Sequence, residues 1–178
     1  MRIIGGIYRG RKIIPPPGFK ARPTTDFARE GLFNILSNHI NFNEISVLDL
    51  FAGTGSISYE FASRGAFEVH LVEKDLKHIS GIKRIIRDIG FTNLKPVHID
   101  VIAYLKTCTA KYDIVFADPP FDLKWLTDIP DLVNGAGILK ADGFLILEHP
   151  GKISFTEHKL FFEHRKYGEV NFSFFRSL

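Results

Sequence analysis

The sequence predicts an α/β domain: a mostly parallel sheet covered by helices on both faces, closed by an antiparallel hairpin and preceded by a small N-terminal β-hairpin arm. Three observations lead there. From residue 47 onward, short apolar runs alternate with longer stretches of helical period, the pattern of strand–helix–strand units. Residues 159–165 and 169–176 are β-rich and joined around Tyr167-Gly168, which reads as a hairpin. Residues 1–22 alternate short β-type stretches with Gly and Pro, which reads as an extended arm or hairpin rather than a helix.

In order, residues 1–22 form the arm and 23–178 the Rossmann-like domain. Thr24 or Thr25 caps a first helix running to about Asn38, with Phe27, Leu32, Phe33, Ile35 and Leu36 as its apolar positions. Residues 47–51 form a short buried strand, followed by Gly53-Thr54-Gly55 and a helix to about Arg64. Residues 68–73 are a second strand and 75–89 a helix stopped by Gly90. Residues 94–100 and 111–117 are the third and fourth strands. A helix centred on 125–133 leads to a fifth strand at 143–148. Phe161, Phe162, Phe172, Phe174 and Phe175 of the closing hairpin belong to the core rather than to a base-stacking platform.

At 178 residues the chain buries a substantial core as one domain. Its lack of an apolar run of 18 residues or more excludes a spanning helix. Cys108 is the only cysteine, so a disulfide framework and a cysteine-based zinc site are excluded, and no metal is expected. The first residues, Met1-Arg2-Ile3-Ile4-Gly5-Gly6, lack the features of a secretory signal, which places the protein in the cytoplasm. Charge is distributed unevenly. Residues 1–30 carry seven basic and two acidic side chains, and the remaining 148 carry 16 and 18. A basic end facing a nearly neutral body suits a polyanionic partner.

The turn Asp49-Leu50-Phe51-Ala52-Gly53-Thr54-Gly55 falls where the first strand meets its helix. Glycines let a backbone turn sharply and approach a ligand, and open α/β sheets bind ligands beyond the carboxyl ends of their strands. Ser58 stands where a dinucleotide fingerprint has its third glycine, so the pattern alone is weak. Carboxylates strengthen it. Glu73 ends the second strand, placed to accept from both ribose hydroxyls. Asp100 ends the third, placed to meet an adenine amino group, and Asp49 lies near an α-amino group. Acids at successive strand ends repel a pyrophosphate and suit a cationic sulfonium, which favours S-adenosylmethionine over NAD.

The most specific motif is Asp118-Pro119-Pro120-Phe121, immediately after the apolar run Ile114-Val115-Phe116-Ala117. Two prolines make the loop rigid and leave it without amide hydrogens, with its carbonyls facing outward. An exocyclic amine is a poor nucleophile because its lone pair is delocalised into the ring. A carboxylate and a proline carbonyl can accept both of its N–H bonds and aim the lone pair at a methyl donor. Phe121 would stack on the base.

This loop resembles the (Asp/Asn/Ser)-Pro-Pro-(Tyr/Phe) motif of the amino-methyltransferases. Arg2-Ile3-Ile4-Gly5-Gly6, Arg9-Gly10-Arg11 and Arg22-Pro23-Thr24-Thr25-Asp26-Phe27-Ala28-Arg29-Glu30 narrow the match. With the Asp49–Gly55 turn and Ser63-Arg64-Gly65-Ala66, they resemble the RsmD family of 16S ribosomal RNA guanine-N2 methyltransferases. The resemblance runs from Arg2 to about Phe121 and is architectural beyond Gly143. It implies a seven-stranded methyltransferase sheet, mostly parallel with a C-terminal antiparallel hairpin, and an arm that helps hold RNA. It implies catalysis at Asp118, Pro119, Pro120 and Phe121, and methylation of a guanine such as position 966. Cofactor contacts are expected at Asp49, Phe51, Ala52, Gly53, Thr54, Gly55, Glu73, Lys74, Asp100 and Val101. RNA contacts are expected at Arg2, Arg9, Arg11, Lys12, Arg22, Thr24, Thr25 and Arg29. The expected partner is small-subunit ribosomal RNA, within an assembled or assembling 30S particle, met by a monomer and without a membrane.

Two other readings stay open. A DNA adenine-N6 methyltransferase shares the catalytic motif but usually carries a separate recognition domain, for which few residues remain here. A non-catalytic RNA-binding factor of ribosome assembly would keep the fold, but an intact Asp118 and glycine turn argue against it. Adenine in a shifted pose could present its 6-amino group to the same acceptors.

Overall fold

Seven strands form one sheet in the order β3-β2-β1-β4-β5-β7-β6, in a computed structural model that describes residues 1–15 and 25–176. The strands are β1 Ser46–Asp49, β2 Glu68–Glu73, β3 Leu94–His98, β4 Tyr112–Ala117, β5 Leu139–His149, β6 Phe161–Tyr167 and β7 Val170–Arg176. Neighbours from β3 through β5 pair in parallel, and β7 pairs antiparallel with both β5 and β6. Among the described residues the helices are α1 Asp26–His39, α2 Ser56–Ser63, α3 Leu76–Ile89, α4 Val101–Thr107 and α5 Ile129–Ala136. None of them is long and apolar enough to cross a membrane.

The sheet is two-sided because successive strand residues point to opposite faces. Val47, Ile114, Phe116, Ile146, Phe172 and Phe174 join one core with residues of α1, α2 and α3. Leu48, Val115, Ala117, Leu145, Leu147 and Phe175 join the other with residues of α4 and α5. The central strands β1, β4, β5 and β7 are therefore buried on both faces, which is why β1 and β4 read as nearly unbroken apolar runs, while the edge strands β3 and β6 stay largely open. The hairpin phenylalanines fall as expected for Phe172, Phe174 and Phe175, which are buried. Phe162 is more open, with the Arg176 guanidinium 4.2 Å above its ring.

Two strands have bounds that differ from the sequence reading. The third strand ends at His98 rather than at residue 100, and the chain turns at once into α4. The fifth strand begins at Leu139, ahead of the expected 143–148. Thr25, one of the two expected caps, caps α1, its hydroxyl accepting from the Ala28 amide at 3.2 Å.

The arm is a narrow antiparallel turn: Arg2 bridges Lys12, and the Ile13 amide donates to the Met1 carbonyl at 2.9 Å. It is docked on α2. Ile3 and Ile13 enter the core, each burial stabilising by about 1.5–3 kcal/mol. The Ile7 amide donates to the Ser63 carbonyl, and the Ser63 hydroxyl donates to the Gly5 carbonyl. Gly6 has a left-handed φ of 76°, and a Cβ there would lie 1.8 Å from the Ser63 carbonyl oxygen, so only glycine lets the backbones meet. Beneath them Glu60, wholly buried, accepts from the Ile4 and Gly5 amides and pairs with Arg29 and Arg64.

Candidate active site

The carboxyl ends of β1, β4 and β5 lie side by side, and the register sets three acids on one face. Asp49 pairs with Phe116, and Ala117 pairs with Leu147. Alternation then turns Asp49, Asp118 and Glu148 toward the α1–α3 side. Sequence reasoning found the first two. It missed Glu148, since an acid at the end of a strand reads as solvated, yet this one is 4% exposed.

Asp49 is buried, and the Ser58 hydroxyl donates to its Oδ2 at 2.7 Å. Burial pushes its carboxyl up to about 7, the charge of Glu73 adding to the shift and the Ser58 hydrogen bond opposing it. Its other oxygen, Oδ1, is buried without a hydrogen-bond partner. The turn that follows is a tight one. Gly55 caps α2 in a left-handed conformation, φ 81°, with its amide on the Ala52 carbonyl at 2.6 Å. A Cβ at Gly55 would meet the Tyr59 ring at 2.6 Å. The space beside Gly55 is filled by the protein's own tyrosine.

Glu73 stands across the turn, its Oε2 accepting from the Gly53 amide at 3.0 Å and its Oε1 from the Asp75 amide at 2.7 Å. It ties the glycine turn to the end of β2, with both of its oxygens engaged by backbone amides. Lys74 is exposed beside it, while Ala52 and Thr54 are buried. Phe51 packs toward Trp125, the ring centres 6.1 Å apart. Asp100 is exposed and acts as the cap of α4, its Oδ1 accepting from the Ile102 amide at 2.9 Å, with Val101 buried behind it.

Asp118 follows β4 as a half-buried residue, Pro119 is buried, and Pro120 is exposed. Burial raises the Asp118 carboxyl well above the usual carboxylate range, and the charges of Glu148 and then Asp49 add to it. Phe121 is 49% exposed, an uncovered ring beside the acid. The Pro120 carbonyl accepts from the Leu123 amide at 2.9 Å, so it closes the loop's own turn instead of facing outward as expected. The arrangement offers a rigid loop with a raised carboxyl and a flat apolar surface beside it, one strand from a glycine turn bordered by acids.

Arg9, Arg11 and Lys12 are exposed on the arm, and Arg2 is exposed with its Nε on Asp26 at 3.3 Å. Thr25 is exposed at the cap of α1. Arg22 and Thr24 lie outside the described residues. Arg29 is a correction. It is 1% exposed, donates to the Arg2 carbonyl at 2.8 Å and to Asp26 at 2.6 Å, and pairs with buried Glu60 at 3.6 Å. A guanidinium so enclosed cannot reach a phosphate; it fastens the arm.

The model of the family described as Conserved hypothetical protein 95 matches residues 1–176. The ribosomal RNA small subunit methyltransferase D of Escherichia coli K12 is 34% identical over 148 residues, 83% of this chain and 74% of that protein. The enzyme of the same name from Haemophilus influenzae is 31% identical over 83% of this chain and 78% of its own length. Among solved structures, a hypothetical protein of Thermus thermophilus superposes with a TM-score of 0.87 at 29% identity, covering 99% of both chains. A 16S rRNA N2 G1207 methyltransferase from T. thermophilus, solved with AdoMet and guanosine, shares the fold. Its TM-score is 0.73 at 24% identity, over 91% of this chain and 46% of that one.

Proposed function

Because the chain belongs to the family described as Conserved hypothetical protein 95, which takes in the ribosomal RNA small subunit methyltransferases D, we propose that it methylates the 2-amino group of a guanine in 16S ribosomal RNA. The methyl donor is S-adenosylmethionine. The target is position 966, met on an assembled or assembling 30S particle in the cytoplasm by a monomer. The observation that carries the reading is the Asp118–Phe121 loop, set one strand from a glycine turn whose flanking acids share its face.

The residues present fit the cofactor. Asp49 Oδ1 is a buried acceptor that an ammonium would satisfy, and Glu73 and Asp100 line the way to a ribose and an adenine. Acids on successive strand ends suit a positively charged ligand. When bound, S-adenosylmethionine supplies an electrophilic methyl group on a sulfonium sulfur. The protein does the rest by placement. Asp118 Oδ and the Pro119 carbonyl accept the two N–H bonds of the guanine amine, which localises its lone pair. Phe121 stacks on the base. In its ionised form, an Asp118 carboxyl raised in this way is a stronger base than an ordinary aspartate. It therefore takes the proton that the amine must lose. The exposed arm cations hold phosphates, and a target in an unpaired loop lowers the cost of extruding the base, a few kcal/mol when stacked.

The test offers purified protein and methyl-labelled cofactor to 30S particles, naked 16S RNA and duplex DNA, then digests each to nucleosides. The expected product is N2-methylguanosine from the particle. Label in N6-methyladenine of DNA, with none in guanosine of RNA, would overturn the reading.

A further inference from the structure

One large apolar side chain of α1 faces water. Phe27 is 67% exposed, although Ala28, Leu32, Phe33 and Leu36 of the same helix are buried. It meets Tyr167, at the end of β6, edge to face, with ring centres 6.1 Å apart and 80° between planes. Tyr167 is held from behind. Its ring lies on the backbone of α1 at Gly31, where a Cβ would come within 2.2 Å of it. A glycine inside a helix is destabilising, and here it lets the hairpin lie directly on the helix. Gly31 is one turn beyond Phe27, so both share the face that Tyr167 covers.

The sheet places this ring pair at the catalytic edge. His149, at the carboxyl end of β5, pairs with Asn171, and Asn171 pairs with Lys166 next to Tyr167. The tip of the hairpin therefore stands at the edge that carries Asp118, on the same α1 side of the sheet. Rings join the two places. Tyr167 is 6.2 Å from Phe172, and Phe172 is 6.3 Å from Phe116, two residues before Asp118. Guanidiniums flank the pair. Arg2 is paired with Asp26 beside Phe27 and keeps 66% of its side chain exposed. Arg165 shares the face of Tyr167, pairs with Glu163 and keeps 51% exposed.

A flat open ring with cations on either side matches a nucleotide, the ring taking the base and the cations its phosphates. A base inside a duplex has its faces covered by its neighbours, so the base that stacks is unpaired. We infer that Phe27, backed by Tyr167, is a stacking platform for an unpaired RNA base beside the target nucleotide, with Arg2 and Arg165 on the flanking phosphates. The ring is open as it stands, so the base reaches it without any movement of the protein.

The inference rests on the proposed RNA substrate, and stacking can be separated from charge. Phe27→Leu keeps an apolar side chain and removes the aromatic face; Phe27→Trp keeps both. Affinity for transcribed 16S RNA would be measured across a salt series for wild type and each variant. Phe27→Leu should bind roughly ten- to a hundredfold more weakly, the loss of one stacked base. Its logarithmic salt slope should equal that of wild type, because stacking releases no counterions. Phe27→Trp should restore the affinity, and RNA should quench the added indole. Melting temperature and cofactor affinity should match wild type in both. Phe27→Leu binding RNA as wild type does would overturn the platform, and so would a failure of Phe27→Trp to restore binding. Affinity lost for 30S particles but kept for RNA would assign the ring to a protein partner and overturn it as well. A wild type that binds neither would remove the RNA reading itself, and this inference with it.

Discussion

Glu148 on β5 flanks Asp118 at the end of β4, and its charge adds to burial in holding the Asp118 carboxyl well above the usual carboxylate range. Turnover that needs ionised Asp118 must fall on the acid side of that raised value. Glu148→Gln removes the charge that helps raise it. The acid limb of kcat/KM should then move to lower pH by about one unit. A limb that stays in place would dissociate Glu148 from the chemistry.

Asp118→Ala should lower kcat by about two to four orders of magnitude, the range for a lost acid–base or electrostatic group. Its affinity for S-adenosylmethionine, measured by calorimetry, should stay within a few-fold. Asp118 is assigned to the base and not to the sulfonium. A folded variant that no longer bound cofactor would reverse that assignment.

Asp49 gives a stability signature with an uncommon sign for an aspartate. Its folded value, about 7, lies above its ordinary 3.8. The folded state therefore holds a proton that the unfolded chain has released, and stability is lost as pH rises from about 4 through about 7. Asp49→Asn has no such proton to lose. In urea melts of ligand-free protein, the variant's stability relative to wild type should be greater at pH 8 than at pH 5. The same variant should bind cofactor poorly, because an amide cannot neutralise an ammonium. A difference that is constant with pH would show that Asp49 does not titrate in this range.

Gly55→Val combines two faults, a β-branched residue at φ 81° and a Cβ against the Tyr59 ring. It should cost about 1–3 kcal/mol of stability and weaken cofactor binding, because the turn cannot hold its shape. Glu73→Ala should leave the fold in place and release the Gly53 amide, with cofactor affinity lower by roughly 1.5–3 kcal/mol for the lost charge-assisted bonds. Titrations in which both variants matched wild type would take the cofactor away from this turn.

The arm's cations divide into two kinds with different consequences. Replacing Arg9, Arg11 and Lys12 together by glutamate should weaken RNA binding and flatten its dependence on salt, since each phosphate contact adds about −0.7 to −0.9 to the logarithmic slope. Cofactor affinity should be spared. Arg29→Met instead strips a buried partner from Glu60 and should destabilise the protein by about 3–5 kcal/mol. An unchanged salt slope in the triple variant would identify the exposed cations as solvated surface.

The central strands were legible because burial on both faces turns β1 and β4 into nearly apolar runs, and the glycine turn because its glycines and acids fall where those runs stop. What escaped had local causes. Helix α4 is seven residues long, and its buried Val101, Tyr104 and Leu105 sit directly after a strand, too few to establish a period. The first half of β5 reads Leu139-Lys140-Ala141-Asp142, which sequence rules assign to a turn, and pairing of Tyr112 with Leu139 extends the strand across it. Arg29 carries the charge of an RNA ligand, but its partner Glu60 is 31 positions away, and only the docking of arm on helix brings them together.

The docking of the arm on α2 also bears on how the chain is made. Ser63 meets Gly5 across 58 positions, and Glu60 meets Ile4 and Gly5 across 56 and 55. During synthesis the arm leaves the ribosome several seconds before α2, at about 5–20 residues per second. Ile3 and Ile13 spend that interval without a surface to cover them. Helix α2 has the converse problem, since all eight of its residues are buried in the finished protein. Each is a scaffold for the other. The segment that carries the arm's positive charge is thus free as a nascent chain and becomes fixed only when the helix behind the glycine turn arrives.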